Sequence, residues 1–309
     1  MIKILKYKEI DFNKYNKCLE NSCQNSDYAE RQFLDIVSNK QWFLLVYNDY
    51  EAIMPVSFVR KLGFTFILMP KICQQLGVFS EIDNPEINSL FYHYLQNNFL
   101  VLIYSFNKNN QFNQPVETKT SYFLEKNLYQ NIKKKYSVHR RRNVRIIGDL
   151  DGNISILKNK RNEIKSFFLN NILGAKNQKI KEDYYKIIQK LLNSKIGQCR
   201  ILNFKEKTQS LVYLYEGKKT YYLSLFINAQ LLSNKNLPSI MIDNCLQEFI
   251  KDKNFDFVGS DIENVAKFND RFGAISYKYA ILKNSKRSLL KILLKNFRII
   301  TKFAPSIFI

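Results

Sequence analysis

The chain has 309 residues, 46% hydrophobic and 14% aromatic with only 9 Gly and 6 Pro, so it has ample apolar surface for folding and little room for disordered linkers. Its formal net charge is +21, but 11 Lys/Arg against 2 Asp fall in residues 126–161 and 7 against none in 283–309, so the excess marks two basic stripes suited to an anionic partner. Two histidines and five scattered cysteines without a Cys-x-x-Cys pair exclude a zinc site and a disulfide framework, and no metal is expected.

The length favours two domains over one. From the start, apolar–polar alternation predicts strands at 3–7, 42–47, 51–59, 64–69, 99–105 and 118–124. Helical periods lie between them. Asp11 caps a helix to about Asn21, Ser26 or Asp27 caps one to about Val37, and Asp83-Asn84-Pro85 opens a third ending near Asn97. Next comes a helix over 128–147, whose apolar face reads Leu128, Ile132, Tyr136, His139 and Asn143, with Arg140, Arg141, Arg142 and Arg145 covering much of the rest.

The same order then recurs. Strand 153–157 precedes helices at 160–171 and 180–193, strands at 198–204, 209–216 and 219–227, a helix opening at Leu237-Pro238-Ser239, strand 255–259, helix 264–272 and strand 275–282. This divides the chain into a first α/β unit (1–127), a basic connecting helix (128–150), a second α/β unit (151–283) and a basic amphipathic C-terminal helix (284–309). No apolar run reaches the about 18 residues of a bilayer span, and the first eight residues alternate like a strand, so a cytoplasmic location is expected.

A strand, two helices, three antiparallel strands, a helix and a final strand pair, repeated twice, resembles the Gcn5-related N-acetyltransferase (GNAT) fold. Two such units joined by a basic helix resemble the Fem-type peptidyltransferases and the broader FemAB-like, or BioF2-like, acyltransferases. Three stretches carry the likeness: Met69-Pro-Lys-Ile-Cys-Gln-Gln-Leu-Gly-Val-Phe-Ser80, Tyr136-Ser-Val-His-Arg-Arg-Arg-Asn-Val-Arg145, and Phe255 to Gly273 with its Gly259-Ser260 turn and Phe268-x-x-x-Phe272-Gly273 helix. The resemblance implies two tandem GNAT-like domains, each a mixed, mostly antiparallel sheet flanked by helices. Two departures bear on the donor. Asn269 stands where tRNA-dependent Fem-type proteins carry lysine, and the stretch Asn228 to Ser239 lacks the glycines of the usual coenzyme A loop.

In such a fold two parallel strands splay apart, and the donor's phosphates lie at the N-terminus of the following helix, where backbone N–H groups and the helix dipole attract anions. In the second unit this falls at Ser233, Asn234, Lys235, Asn236 and Ser239; helix capping by Asn236 and Ser239 is the alternative role. Acyl transfer also needs a proton acceptor. Asp261, with Ser260 beside it, follows strand 255–259 and is the catalytic candidate, though both also suit a helix cap. Asn264, Phe268 and Arg271 share a helix face toward a substrate, and His139, Arg140 and Asn143 are further substrate-binding candidates.

The leading expectation is an acyltransferase moving an acyl or aminoacyl group to an amine or hydroxyl of a cell-envelope or saccharide precursor. No tightly bound cofactor is expected, and the donor, an acyl-CoA or an aminoacyl-tRNA, is a co-substrate. The alternatives are a non-catalytic, eroded pair of such domains that binds RNA or anionic lipid, and a tRNA-dependent Fem-type peptidyltransferase. The C-terminal helix, with Leu289, Leu293, Phe297 and Ile300 on one face, either packs on the second unit or lies on an anionic membrane surface at the inner face of the membrane.

Overall fold

The computed structural model describes residues 1–24, 26–61, 63–145, 152–156, 161–204, 207–231, 235–259, 261–285 and 287–289. Two compact units emerge, Met1–Thr118 together with the chain from Tyr279, and Lys119–Lys278.

The first unit runs β1 (Ile2–Leu5), α1 (Phe12–Asn21), α2 (Arg31–Ser38), β2 (Trp42–Tyr47), β3 (Ala52–Lys61), β4 (Phe64–Leu68), β5 (Phe79–Ser80), α3 (Pro85–Asn98) and β6 (Leu100–Ser105). Its sheet is ordered β1-β2-β3-β4-β6, with β5 added to β3; every pair is antiparallel except β4 and β6. Asp11 caps α1 by accepting from the N–H groups of Asn13 and Lys14, at 2.9 and 3.2 Å. Asn84 does the same for α3 from Glu86 and Ile87, with Pro85 in the first turn. Neither Ser26 nor Asp27 caps α2. A 3-10 turn at Asp27–Ala29 intervenes, because Tyr28 and Ala29 are drawn into the core and the Ala29 carbonyl accepts the buried Tyr15 hydroxyl at 2.5 Å.

The motif-bearing stretch before β5 is a backbone lock. Leu76 N–H bonds the Ser105 carbonyl at 2.9 Å, and the Gln75 side-chain carbonyl accepts Lys108 N–H at 2.9 Å. Gly77 has φ +111°, and a Cβ there would lie 2.3 Å from Asn110 Oδ1 and 2.5 Å from the Asn107 nitrogen. Only glycine fits this point, where Asn110 braces Val78 N–H at 3.0 Å.

The second unit begins within β7 (Glu117–Leu124) and continues α4 (Tyr129–Lys135), α5 (Val138–Arg145), β8 (Gly152–Ile156), α6 (Arg161–Asn171), α7 (Gln178–Asn193), β9 (Gln198–Phe204), β10 (Lys207–Glu216), β11 (Thr220–Asn228), α8 (Leu237–Phe249), β12 (Asn254–Asp256) and α9 (Glu263–Asp270). Its sheet order is β7-β12-β11-β10-β9-β8, and only β11 and β12 are parallel. Both units thus place four antiparallel strands beside one parallel pair, with a helix between the parallel strands, as the repeat predicts. Each unit also takes in a strand supplied by the other half of the chain. Residues 281–283 of β13 (Ile275–Lys283) pair with β6 in the first unit, and Phe123 and Leu124 of β7 pair with β12 in the second.

Helix α8 is buried almost all round, through Leu237, Ile240, Met241, Ile242, Cys245, Leu246 and Phe249. Each such side chain contributes about 1.5–3 kcal/mol relative to exposure, so this helix anchors the second core. The single helix expected over 128–147 is instead two, α4 and α5, broken at Tyr136-Ser137; residues 146–151 and 290–309, which include most of the expected C-terminal helix, lie outside the described residues. Among the described residues no helix is long and apolar enough to cross a membrane.

Replacing Gly77 with alanine adds a Cβ against fixed backbone at a left-handed φ. The expected loss of stability is about 2–4 kcal/mol in urea unfolding, with an unchanged m-value.

Candidate functional site in the second unit

The parallel pairing of β11 and β12 covers only Thr220 with Asn254, Tyr221 with Phe255 and Tyr222 with Asp256. Beyond it β11 runs on to Asn228 while the chain leaves β12, so the two strands part. At the same level β11 bulges: Leu214 faces Leu223 and Tyr213 faces Leu225, leaving Ser224 as the extra residue. A bulge interrupts the ladder and frees backbone groups for other partners.

The chain leaves β12 through a strained turn, where the sequence predicts strand to 259. Val258 adopts φ +53°, an unfavourable region for a β-branched residue, and Gly259 follows at φ +103°. Four hydrogen bonds hold the turn. Asp256 Oδ1 accepts Val258 N–H at 2.8 Å, the Tyr122 carbonyl accepts Phe257 N–H at 2.9 Å, Ser121 Oγ accepts Gly259 N–H at 2.8 Å, and Asn269 Nδ2 donates to the Gly259 carbonyl at 3.0 Å. Asp256 itself is buried and also accepts the hydroxyls of Ser121 at 3.2 Å and Tyr277 at 2.6 Å. A carboxylate with its hydroxyl partners therefore stands where the parallel strands separate.

At the start of α8 lies a buried guanidinium. Ser137 caps α5, its Oγ accepting Arg140 N–H at 3.2 Å, while Ser137 N–H bonds the Arg271 carbonyl at 3.0 Å. The cap resets the helical phase. Tyr136, Arg140 and Val144 therefore turn inward, and Arg140 is only 2% exposed. Its guanidinium carbon sits 4.2 and 4.0 Å from the ring centres of Phe268 and Phe272. Nη1 donates to Ser239 Oγ in the first turn of α8, and Nη2 donates to the Phe268 carbonyl at 3.0 Å in the last turn of α9. The aromatic faces and the negative end of α9 favour the cation.

The compensation is incomplete. Among the described residues no carboxylate pairs with Arg140 within salt-bridge distance, and its buried Nε–H has no hydrogen-bond partner. The nearby carboxylate, Asp243 on α8, is engaged by the Tyr129 and Tyr136 hydroxyls, each at 2.9 Å, and burial raises its pKa above the ordinary aspartate value. Burial, reinforced by the charge of Arg271, lowers the Arg140 pKa to about 10. The folded state therefore binds fewer protons than the unfolded one as pH rises through about 10, and the group's contribution to stability rises with pH from there. At neutral pH the buried charge, only partly offset by the nearby Asp243 carboxylate, is a cost, aggravated by its place at the positive end of α8.

The remaining predicted residues are distributed unevenly. Lys235 is exposed just before α8; Asn236 is the N-cap position but makes no side-chain cap, while Ser239 serves Arg140. Ser233, Asn234 and Ser260 lie outside the described residues. Asp261 does not cap α9; its Oδ1 accepts Thr120 N–H at 2.9 Å, tying the turn to β7. His139 is exposed and Asn143 half-buried, so the inward face assigned to them belongs to Arg140 and Val144 because of the break at Ser137. Asn264 and Arg271 are exposed, and Phe268 lies against the core through Arg140 and Phe272. Gly273 ends this element at φ +72°, and a Cβ there would lie 2.6 Å from the Lys135 Cβ, so the Phe-Gly motif sets the approach of α9 to α4. Asp256, Ser121 and Tyr277 carry no sequence signal of their own, since an isolated polar residue in an alternating strand reads as a solvent-facing one.

No family model matches the sequence, and no curated protein matches it. Solved structures do match the fold along nearly the whole chain. A FemX crystal structure is 8% identical at TM-score 0.60, covering 98% of this chain and 100% of that one. The C-terminal domain of a protein assigned as a lysylphosphatidylglycerol synthetase, from Agrobacterium fabrum, is 9% identical at TM-score 0.52, with coverage of 92% and 97%. A tandem GNAT protein from the clavulanic acid biosynthesis pathway is 6% identical at TM-score 0.52, with coverage of 91% and 97%. The fold is the one shared by FemX and the tandem GNAT protein.

If Arg140 is retained for a ligand, Arg140→Met should be neutral or stabilising by about 1 kcal/mol in ligand-free protein, since it exchanges a buried charge for an apolar chain of comparable length. Urea unfolding at neutral pH measures this. A loss of about 3 kcal/mol or more would make Arg140 a structural brace.

Proposed function

We propose that the chain is an acyltransferase whose second unit holds an acyl-CoA-type donor, with its phosphates at the start of α8 and its thioester between β11 and β12. The observation that carries this reading is the buried Arg140 cation at the start of α8, with no carboxylate within salt-bridge distance among the described residues and no side-chain cap from Asn236. A bound phosphate would supply the missing countercharge. The corresponding helix of the first unit, α3, has its leading N–H groups occupied by Asn84, which supports the second unit as the donor site.

The thioester then lies along β11, where backbone groups released by the Ser224 bulge are available to the carbonyl oxygen as it gains charge. The acceptor nitrogen or oxygen attacks the carbonyl carbon, a C–N or C–O bond forms, the C–S bond breaks, and the acceptor's proton leaves with the thiolate as free thiol. Asp256, through the Tyr277 hydroxyl, is the proton relay best placed at the splay. Asp261, exposed and accepting the Thr120 N–H, is the second candidate. Asn269 is used structurally at the Gly259 carbonyl and offers no charge, which favours an acyl-CoA over an aminoacyl-tRNA donor. Fold neighbours named for FemX and for lysylphosphatidylglycerol synthesis suggest an amine or hydroxyl of a cell-envelope precursor as acceptor.

Thiol release from acetyl-CoA and longer acyl-CoAs, followed over a panel of amino sugars and lipid-linked amines, tests the assignment. Turnover by wild type is expected to fall about 100-fold or more in Asp256→Asn. Lys235→Ala, which removes one exposed charge, should weaken donor affinity about threefold to fivefold. Turnover with charged tRNA and none with any acyl-CoA would overturn the donor assignment.

A further inference from the structure

Two loops of the second unit carry apolar tips that neither the core nor the site uses. Leu173, after α6, is 87% exposed, and Leu231, after β11, is 91% exposed. The loops are tied together: Gln230 N–H donates to Asn171 Oδ1 at 3.1 Å, and Gln230 Nε2 donates to the Asn170 carbonyl at 3.4 Å. Gly174, next to Leu173, has nothing within 4 Å of where a side chain would begin, so the first loop projects into solvent rather than lining a groove.

The exposed charge beside the tips is mainly positive, with Glu182 accepting from the Gln178 amide at 3.3 Å and Asp183 next to it on α7. No Asp or Glu occurs in residues 164–181 or 217–242, the stretches that carry the two tips, whereas Lys165, Lys176, Lys179 and Lys235 there are exposed. Lys181 is spent on the Leu169 carbonyl at the end of α6, at 2.9 Å, which fixes the first loop's base. A single exposed leucine is ordinary on a protein surface. Two on hydrogen-bonded loops, fully hydrated and flanked along the chain by exposed lysines, fit a specific partner: apolar tips enter an interface while cations meet anionic headgroups. RNA would use the lysines but give the leucines nothing to bury against.

We propose that residues 172–177 and 229–231 form a docking surface for an anionic lipid bilayer, with Leu173 and Leu231 inserted at the headgroup level and Lys176 and Lys179 on the lipid phosphates. This surface stands whether or not the chain is a transferase.

The test is co-sedimentation of the full chain with vesicles of phosphatidylcholine alone and of phosphatidylcholine containing one-third phosphatidylglycerol, at about 0.1 M salt. Wild type should bind only the anionic vesicles. Leu173→Ser/Leu231→Ser should lower the partition coefficient about tenfold or more, and Lys176→Gln/Lys179→Gln should lower it and flatten its salt dependence. All four side chains are exposed, so thermal unfolding should be unchanged and a lost interaction is not misfolding. Failure of wild type to bind anionic vesicles, or wild-type binding by the leucine variant, would overturn the proposal; the second result would assign membrane contact to another part of the chain.

Discussion

The second unit is organised around one buried cation. Removing a guanidinium from water costs several kcal/mol, and Arg140 recovers only part of that through Phe268, Phe272, Ser239 and the Phe268 carbonyl. These partners belong to α8 and α9, and Arg140 itself to α5, so one side chain joins three helices of the unit. Ser137 caps the helix that carries Arg140 inward, and Gly273 must lack a side chain for α9 to end against Lys135.

The two units use a shared topology differently. In each, a helix follows the fourth strand of the antiparallel run and precedes the strand that pairs with it in parallel. In the first unit that helix is closed by Asn84, and the nearby motif is consumed in a backbone lock at Gly77. In the second the helix start has no side-chain cap from Asn236 and faces a cation, the parallel strands part after three pairs, and the departing chain is held at a strained Val258. Strain that four hydrogen bonds maintain beside a buried carboxylate is what a preorganised reaction centre requires.

Much of this was legible in the sequence. The repeated order of strands and helices predicts both sheets, because alternation and 3.6-residue periodicity report burial directly. Arg140, Phe268 and Ser239 appear among the residues singled out for the site. What hid was phase and partnership. Spacings of four and three carry an apolar face smoothly through Tyr136 to His139, and nothing in periodicity alone says that Ser137 stops one helix and caps the next; a serine before a new helical turn is the available clue. Asp256 was invisible for a related reason, since its partners Ser121 and Tyr277 are distant in the chain and meet it only through sheet pairing.

The account turns on whether the Arg140 cation awaits an anionic group at the start of α8. The most direct measurement is titration calorimetry of coenzyme A, and of its phosphate-free pantetheine arm, against wild type and Arg140→Met. Coenzyme A should bind wild type with an affinity that falls steeply with salt, pantetheine should bind far more weakly, and the variant should lose the difference between them. Equal binding of coenzyme A by wild type and Arg140→Met would contradict the account and reduce Arg140 to a packing element of the second core.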